Sequence, residues 1–177
     1  MAVFIASIPN SREEDIALAK NIVEGKGDIK GSTEKLLEHF INVWSGEKYL
    51  FNRGRDSLFF LLSTLTLEPC DEVVIQGFTC VAVIAPILWC KATPIFTDIE
   101  RDTFNMSLED LKKKISENTR GVLVQHTFGN IADMKSIREA VDWENKSRNE
   151  NKKIVLIEDC AHLYDEKNKE VGKYSDA

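Results

Sequence analysis

Apolar residues recur first at helical spacing and then at strand spacing along this chain. Between Glu13 and Glu24, Ile16, Ala19, Ile22 and Val23 share one stripe, which predicts a helix. The run Gly25-Lys26-Gly27-Asp28-Ile29-Lys30-Gly31 breaks it. Between Ser32 and Trp44, Leu36, Leu37, Phe40, Ile41 and Trp44 repeat as a second helix packed on one side would. The period then changes. Strands are predicted at Tyr49–Asn52, Glu72–Gln76, Thr93–Ile99, Gly121–Gln125 and Ile154–Ile157. Helices are predicted between them at Asp56–Leu65, Thr79–Trp89, Ser107–Ser116 and Asp133–Arg148.

This alternation predicts an α/β fold: three layers, with a mostly parallel central sheet and flanking helices. Val73-Val74-Ile75 and Ile154-Val155-Leu156-Ile157 are apolar throughout, as strands covered on both faces should be. Residues 1–48 form an N-terminal helical segment on this reading, and residues 49–177 the α/β part. Tyr174-Ser175-Asp176-Ala177 reads as the approach to another strand, so the domain is expected to be incomplete.

Composition narrows the function classes. The chain has 177 residues, enough for one ordinary domain with an appendage. Its net charge is −6 and it has no polybasic block, so nucleic acid and anionic membranes are not expected partners. No apolar run approaches the roughly 20 residues that span a bilayer. The start lacks a basic n-region, so no signal peptide is expected. Cys70, Cys80, Cys90 and Cys160 include no CxxC pair. Reduced thiols in the cytoplasm are expected, rather than a disulfide framework or a zinc site. Gly25-x-Gly27-x-x-x-Gly31 misses the dinucleotide fingerprint by one residue and follows a helix rather than a strand.

In a parallel α/β sheet, ligands bind beyond the carboxyl ends of the strands. That rule selects Gly54-Arg55, Gly77 to Cys80, Asp98, Gln125-His126 and Asp159 to His162. Gly54-Arg55-Asp56-Ser57-Leu58 opens a helix, whose free N–H groups suit an anion, and Arg55 could add a bidentate grip on phosphate. A plain turn, with Asp56 complementing the helix dipole, is the structural alternative. Asp159, at the mouth of a buried strand, needs a cationic or donor partner. A protonated heterocyclic nitrogen, a helix cap and an ion pair all qualify. Asp159 and His162 could also share a metal, although no third ligand lies nearby in sequence. His126 reads as a hydrogen-bonded structural histidine.

Six stretches in order resemble one family, the DegT/DnrJ/EryC1/StrS aminotransferases. They are Gly54-Arg55-Asp56-Ser57-Leu58, Cys70-Asp71-Glu72-Val73-Val74, Gly77-Phe78-Thr79-Cys80-Val81-Ala82, Ala92-Thr93-Pro94-Ile95-Phe96-Thr97-Asp98-Ile99, Thr119-Arg120-Gly121-Val122-Leu123-Val124-Gln125-His126 and Ile157-Glu158-Asp159-Cys160-Ala161-His162. The resemblance runs from about residue 30 to the end. It implies a fold-type I large domain, pyridoxal 5'-phosphate (PLP) as cofactor, and transamination of a keto-sugar nucleotide by an amino-acid donor in a homodimer.

Position by position, it implies that Gly54, Arg55 and Asp56 cradle the phosphate, although the family commonly has Thr or Ser at the Arg55 position. It sets Asp159 against the pyridine nitrogen and His162 near the phenolic oxygen, with Ala161 between them. Thr79 and Cys80 fall where an aromatic residue often stacks on the ring. Catalytic roles are therefore expected for Asp159 and His162. The resemblance puts the Schiff-base lysine beyond Gly172-x-x-Ser175-Asp176-Ala177, so Lys167, Lys169 and Lys173 are not assigned and these 177 residues are expected to be inactive alone. Two alternatives stand beside this reading: a non-catalytic scaffold derived from the same half-domain, and an unrelated α/β nucleotide-binding domain.

Overall fold

The computed structural model describes residues 13–26, 31, 34–35, 38, 47–163 and 171–177. The chain divides into two compact units, Met1–Lys48 and Tyr49–Ala177. In the first, helix α1 spans Glu13–Val23. It stops at Gly25, whose φ of 71° is left-handed. Lys26 N–H bonds to Asn21 O at 2.8 Å and Gly25 N–H to Ile22 O at 3.1 Å, a Schellman closure that glycine makes without strain. The helix expected over Ser32–Trp44 falls largely outside the described residues.

The second unit contains α2 (Gly54–Thr64), β1 (Glu72–Gln76), α3 (Val81–Trp89), β2 (Thr93–Thr97), α4 (Leu108–Lys114), β3 (Thr119–Gln125), α5 (Met134–Asn145) and β4 (Val155–Asp159). The strands form one sheet in the order β2-β1-β3-β4, and every pairing is parallel.

Successive side chains on a strand leave opposite faces, and the core follows that rule. Val74, Val122, Val124 and Leu156 pack with Leu111 of α4 and with Met134, Ile137 and Val141 of α5. Val73, Ile75, Leu123 and Ile157 pack with Leu62 of α2 and with Val83 and Ile87 of α3. The result is the expected three-layer α/β arrangement. All seven residues of β3 are buried, as a central strand requires.

Local signals start the helices. Cys80, Ser107 and Asp133 are the N-caps of α3, α4 and α5, each accepting a backbone N–H from the first turn. One expected strand does not form: Tyr49–Asn52 is irregular. Tyr49 and Leu50 are exposed, and Phe51 stacks on Phe60 of α2 at 5.3 Å instead of pairing with the sheet. Helix α2 begins at Gly54, so Arg55 and Asp56 lie within its first turn. Beyond β4, Asp176 N–H donates to Leu156 O at 2.8 Å and Glu158 N–H to Ala177 O at 2.8 Å. The segment thus approaches the outer edge of β4, as a further strand would. Among the described residues, no helix is long and apolar enough to cross a membrane.

Candidate functional site

Because the strands are parallel, their carboxyl ends share one edge of the sheet. A cavity of about 1020 Å³ opens there, among the N-termini of α2 and α3 and the ends of β3 and β4. Of the residues that the resemblance assigns to the cofactor, Gly54, Arg55, Cys80, Asp159, Ala161 and His162 line it; Asp56 and Thr79 do not. Leu123 and Ile157 give it an apolar wall.

At the α2 end, Arg53 is the N-cap and makes no side-chain cap bond. The N–H groups of Asp56 and Ser57 return to Arg53 O at 3.0 and 3.2 Å. Asp56 therefore offers no free backbone donor. Among the described residues, the N–H groups of Gly54 and Arg55 have no hydrogen-bond partner, so the positive end of the helix is open toward the cavity. Gly54 is not left-handed, and a Cβ there would meet nothing within 4 Å.

At the opposite end, Asp159 closes β4. Its Oδ1 accepts Ala161 N–H at 2.9 Å. Among the described residues Oδ2 has no partner, which leaves half of the carboxylate available to a donor. Cys80 Sγ accepts Ala82 N–H at 3.5 Å while the side chain borders the cavity. Thr79 Oγ1 points elsewhere, donating to Gln125 Oε1 at 2.8 Å. Gln125 Nε2 in turn lies 3.1 Å from His162 Nδ1. In the sequence Gln125 stands out only by its strand end; the contact that gives it a role spans 37 residues.

Behind the cavity, His126 is fully buried and meets Glu158 at 2.7 Å. Its Nδ1 accepts Ala132 N–H at 3.1 Å, so Nε2 carries the proton. Burial by itself would raise the Glu158 carboxyl. The bonds from His126, Gly172 N–H and Ser175 outweigh burial and hold it below its ordinary value. Burial, together with the neighbouring Glu158 and Asp159 charges, pushes the Cys160 thiol up to about 12. Donor atoms of His126, Glu158 and Cys160 lie within 4.8 Å of one another. The first two are already bonded directly and the third is a protonated thiol, so this trio is a structural cluster.

The model of the DegT/DnrJ/EryC1/StrS aminotransferase family matches residues 9–177. The chain belongs to that family. It is 33% identical over 127 residues to the GDP-perosamine synthase of Vibrio cholerae, an alignment covering 71% of this chain and 32% of that protein. A solved sugar aminotransferase from Micromonospora echinospora aligns with a TM-score of 0.55 at 31% identity, over 61% of this chain and 29% of its own. The PLP form of a Streptococcus pneumoniae protein assigned as a sugar aminotransferase aligns with a TM-score of 0.57 at 28% identity, over 62% of this chain and 30% of its own. The DegT/DnrJ/EryC1/StrS chain described here thus spans about a third of the length of the curated relatives it matches.

Proposed function

We propose that the whole protein is a PLP-dependent transaminase of a keto-sugar nucleotide, with an amino acid as donor, and that residues 49–177 supply the cofactor-binding part of its large domain. Residues 1–48 are the N-terminal helical segment on this reading. The observation that carries it is one cavity lined by an open helix N-terminus, a half-free carboxylate at a strand end, and His162.

That donor set fits PLP. The Gly54 and Arg55 N–H groups, with the Arg55 guanidinium, would receive the phosphate. Asp159 Oδ2 would hold a proton at the ring nitrogen, and His162 would donate to the ring's oxygen substituent. Cys80 and Ala161 would border the ring, with less stacking area than an aromatic side chain would give. Asp56 adds dipole complementarity to α2 and a negative charge that tempers phosphate affinity. Thr79 acts from behind the site through Gln125. When bound, PLP supplies the electron sink that amino-group transfer needs.

A homodimer is supported by the apolar surface that Phe60 of α2 and Leu88 and Trp89 of α3 present to solvent. We assign the protein to the cytoplasm on its unpaired cysteines. The test is a PLP titration followed by absorbance. Asp159→Ala should weaken binding by at least about tenfold, since a charge-assisted hydrogen bond contributes about 1.5–3 kcal/mol. Equal affinity in wild type and variant would remove Asp159 from the site.

A further inference from the structure

His162 is held by two donors and one stacked ring, and together they decide which of its nitrogens carries the proton. Phe128 N–H lies 3.5 Å from His162 Nδ1. A backbone N–H can only donate, so Nδ1 is an acceptor. Gln125 must then turn its amide nitrogen, 3.1 Å away, toward Nδ1. That orientation leaves Gln125 Oε1 facing Thr79, whose hydroxyl donates to it at 2.8 Å. Each link follows from the one before, and the first is set by the main chain, which has no alternative tautomer or flip.

The backbone is strained at the same place. Phe128 sits at φ 55°, a left-handed conformation that a bulky residue rarely adopts. It brings the Phe128 ring parallel to the imidazole, with an interplanar angle of 3° and centroids 5.9 Å apart, as well as its N–H to Nδ1. Gly129 follows at φ 84°, where a Cβ would lie 3.6 Å from the His162 carbonyl. Gln125 is itself buried, while the His162 ring it touches is exposed. Among the described residues, His162 Nε2 has no partner, and His162 lines the cavity.

We infer that Thr79, Gln125 and the Phe128 N–H lock His162 as the neutral Nε2–H tautomer, so that it presents a single N–H donor to an acceptor oxygen bound in the cavity. Thr79, Gln125 and Phe128 are positioning residues. Naming that oxygen as the aryl oxygen of PLP rests on the function proposed above; the tautomer does not.

The test therefore uses the full chain without PLP. Long-range ¹⁵N–¹H spectra of labelled protein in mildly alkaline buffer, where imidazoles are neutral, distinguish protonated from bare ring nitrogens. The chain has three histidines, and His162→Gln identifies the relevant signals by deleting them. Wild-type His162 should show Nε2–H over Nδ1–H by about tenfold, and Thr79→Ser should match it. Gln125→Glu should raise the Nδ1–H population severalfold, because a carboxylate there can only accept, while the Phe128 N–H that remains opposes a complete transfer. Thr79→Val frees the amide to flip and should raise the Nδ1–H population severalfold. An even mixture or a dominant Nδ1–H form in the wild type would overturn the inference. So would a folded Gln125→Glu variant with the wild-type pattern. If that variant does not fold, the wild-type and Thr79→Val spectra decide. A loss of PLP binding with the tautomer intact would instead count against the proposed function.

Discussion

His126 Nε2 donates to Glu158 Oε1 at 2.7 Å, with the two side chains 0% and 3% exposed. His126 follows β3 and Glu158 lies within β4, so this bond joins neighbouring strand ends. The second carboxylate oxygen accepts Gly172 N–H at 2.6 Å and Ser175 Oγ at 3.1 Å. One buried carboxylate thus ties two strands to the segment that runs along the sheet edge. Glu158→Ala would strand the His126 N–H in a dry site. It should cost on the order of 3 kcal/mol, read from urea unfolding. A loss below about 1 kcal/mol would mean that the pair is not the tie described.

The same carboxylate sets a pH dependence. Its pKa in the folded chain lies below the ordinary 4.5. The folded state therefore binds fewer protons than the unfolded one in that window, and stability rises with pH across it. The contribution is complete above the ordinary value and disappears as pH falls through the folded one. Asp133, held low by the Ser136 hydroxyl and N–H, acts in the same direction. Urea midpoints should fall on acidification below about pH 4.5, and Glu158→Gln should flatten the slope. An unchanged slope in that variant would exclude Glu158 as the source.

Cys160 should be chemically quiet. Only the thiolate is a good nucleophile, and a thiol pushed up to about 12 is almost wholly protonated near neutral pH. Cys70 and Cys80 are exposed. Alkylation of the folded chain followed by peptide mass analysis should modify those two well before Cys160. Early labelling of Cys160 would show that its burial is not maintained.

PLP should bind these 177 residues weakly and reversibly. No lysine lines the cavity among the described residues, and Lys173 Nζ lies over the Tyr174 ring at 5.0 Å. Arg55→Ala should weaken binding less than Asp159→Ala if the backbone N–H groups do most of the phosphate work. Borohydride should trap little PLP at a specific position. Stoichiometric trapping on one lysine of this chain would identify a covalent anchor other than the residues that line the cavity.

Much of the fold was legible locally. Gly25 stops α1 because a left-handed residue closes its last turn. Cys80, Ser107 and Asp133 start helices because a short polar side chain can satisfy an open N–H. The apolar runs Val73–Ile75 and Ile154–Ile157 announced strands covered on both faces, and Val73 and Val74 indeed pack on opposite layers. The candidate site followed from topology, since parallel strands deliver their carboxyl-end residues to one edge.

Other features depended on which segments meet in space. Tyr49–Asn52 has strand-like composition, yet Phe51 found Phe60 rather than a hydrogen-bonding neighbour. The order β2-β1-β3-β4 was not implied by periodicity, which reports burial along one dimension only. Asp56 is next to Arg55 in sequence, but the first turn of α2 takes its N–H back to Arg53. Above all, Thr79, Gln125 and His162 form one chain of contacts across sequence separations of 46 and 37 residues. The sequence by itself determined that polar residues would stand at the strand ends. Only the tertiary structure decided which of them meet, because hydrogen-bond partnership depends on distances of a few ångströms that sheet order and helix packing create.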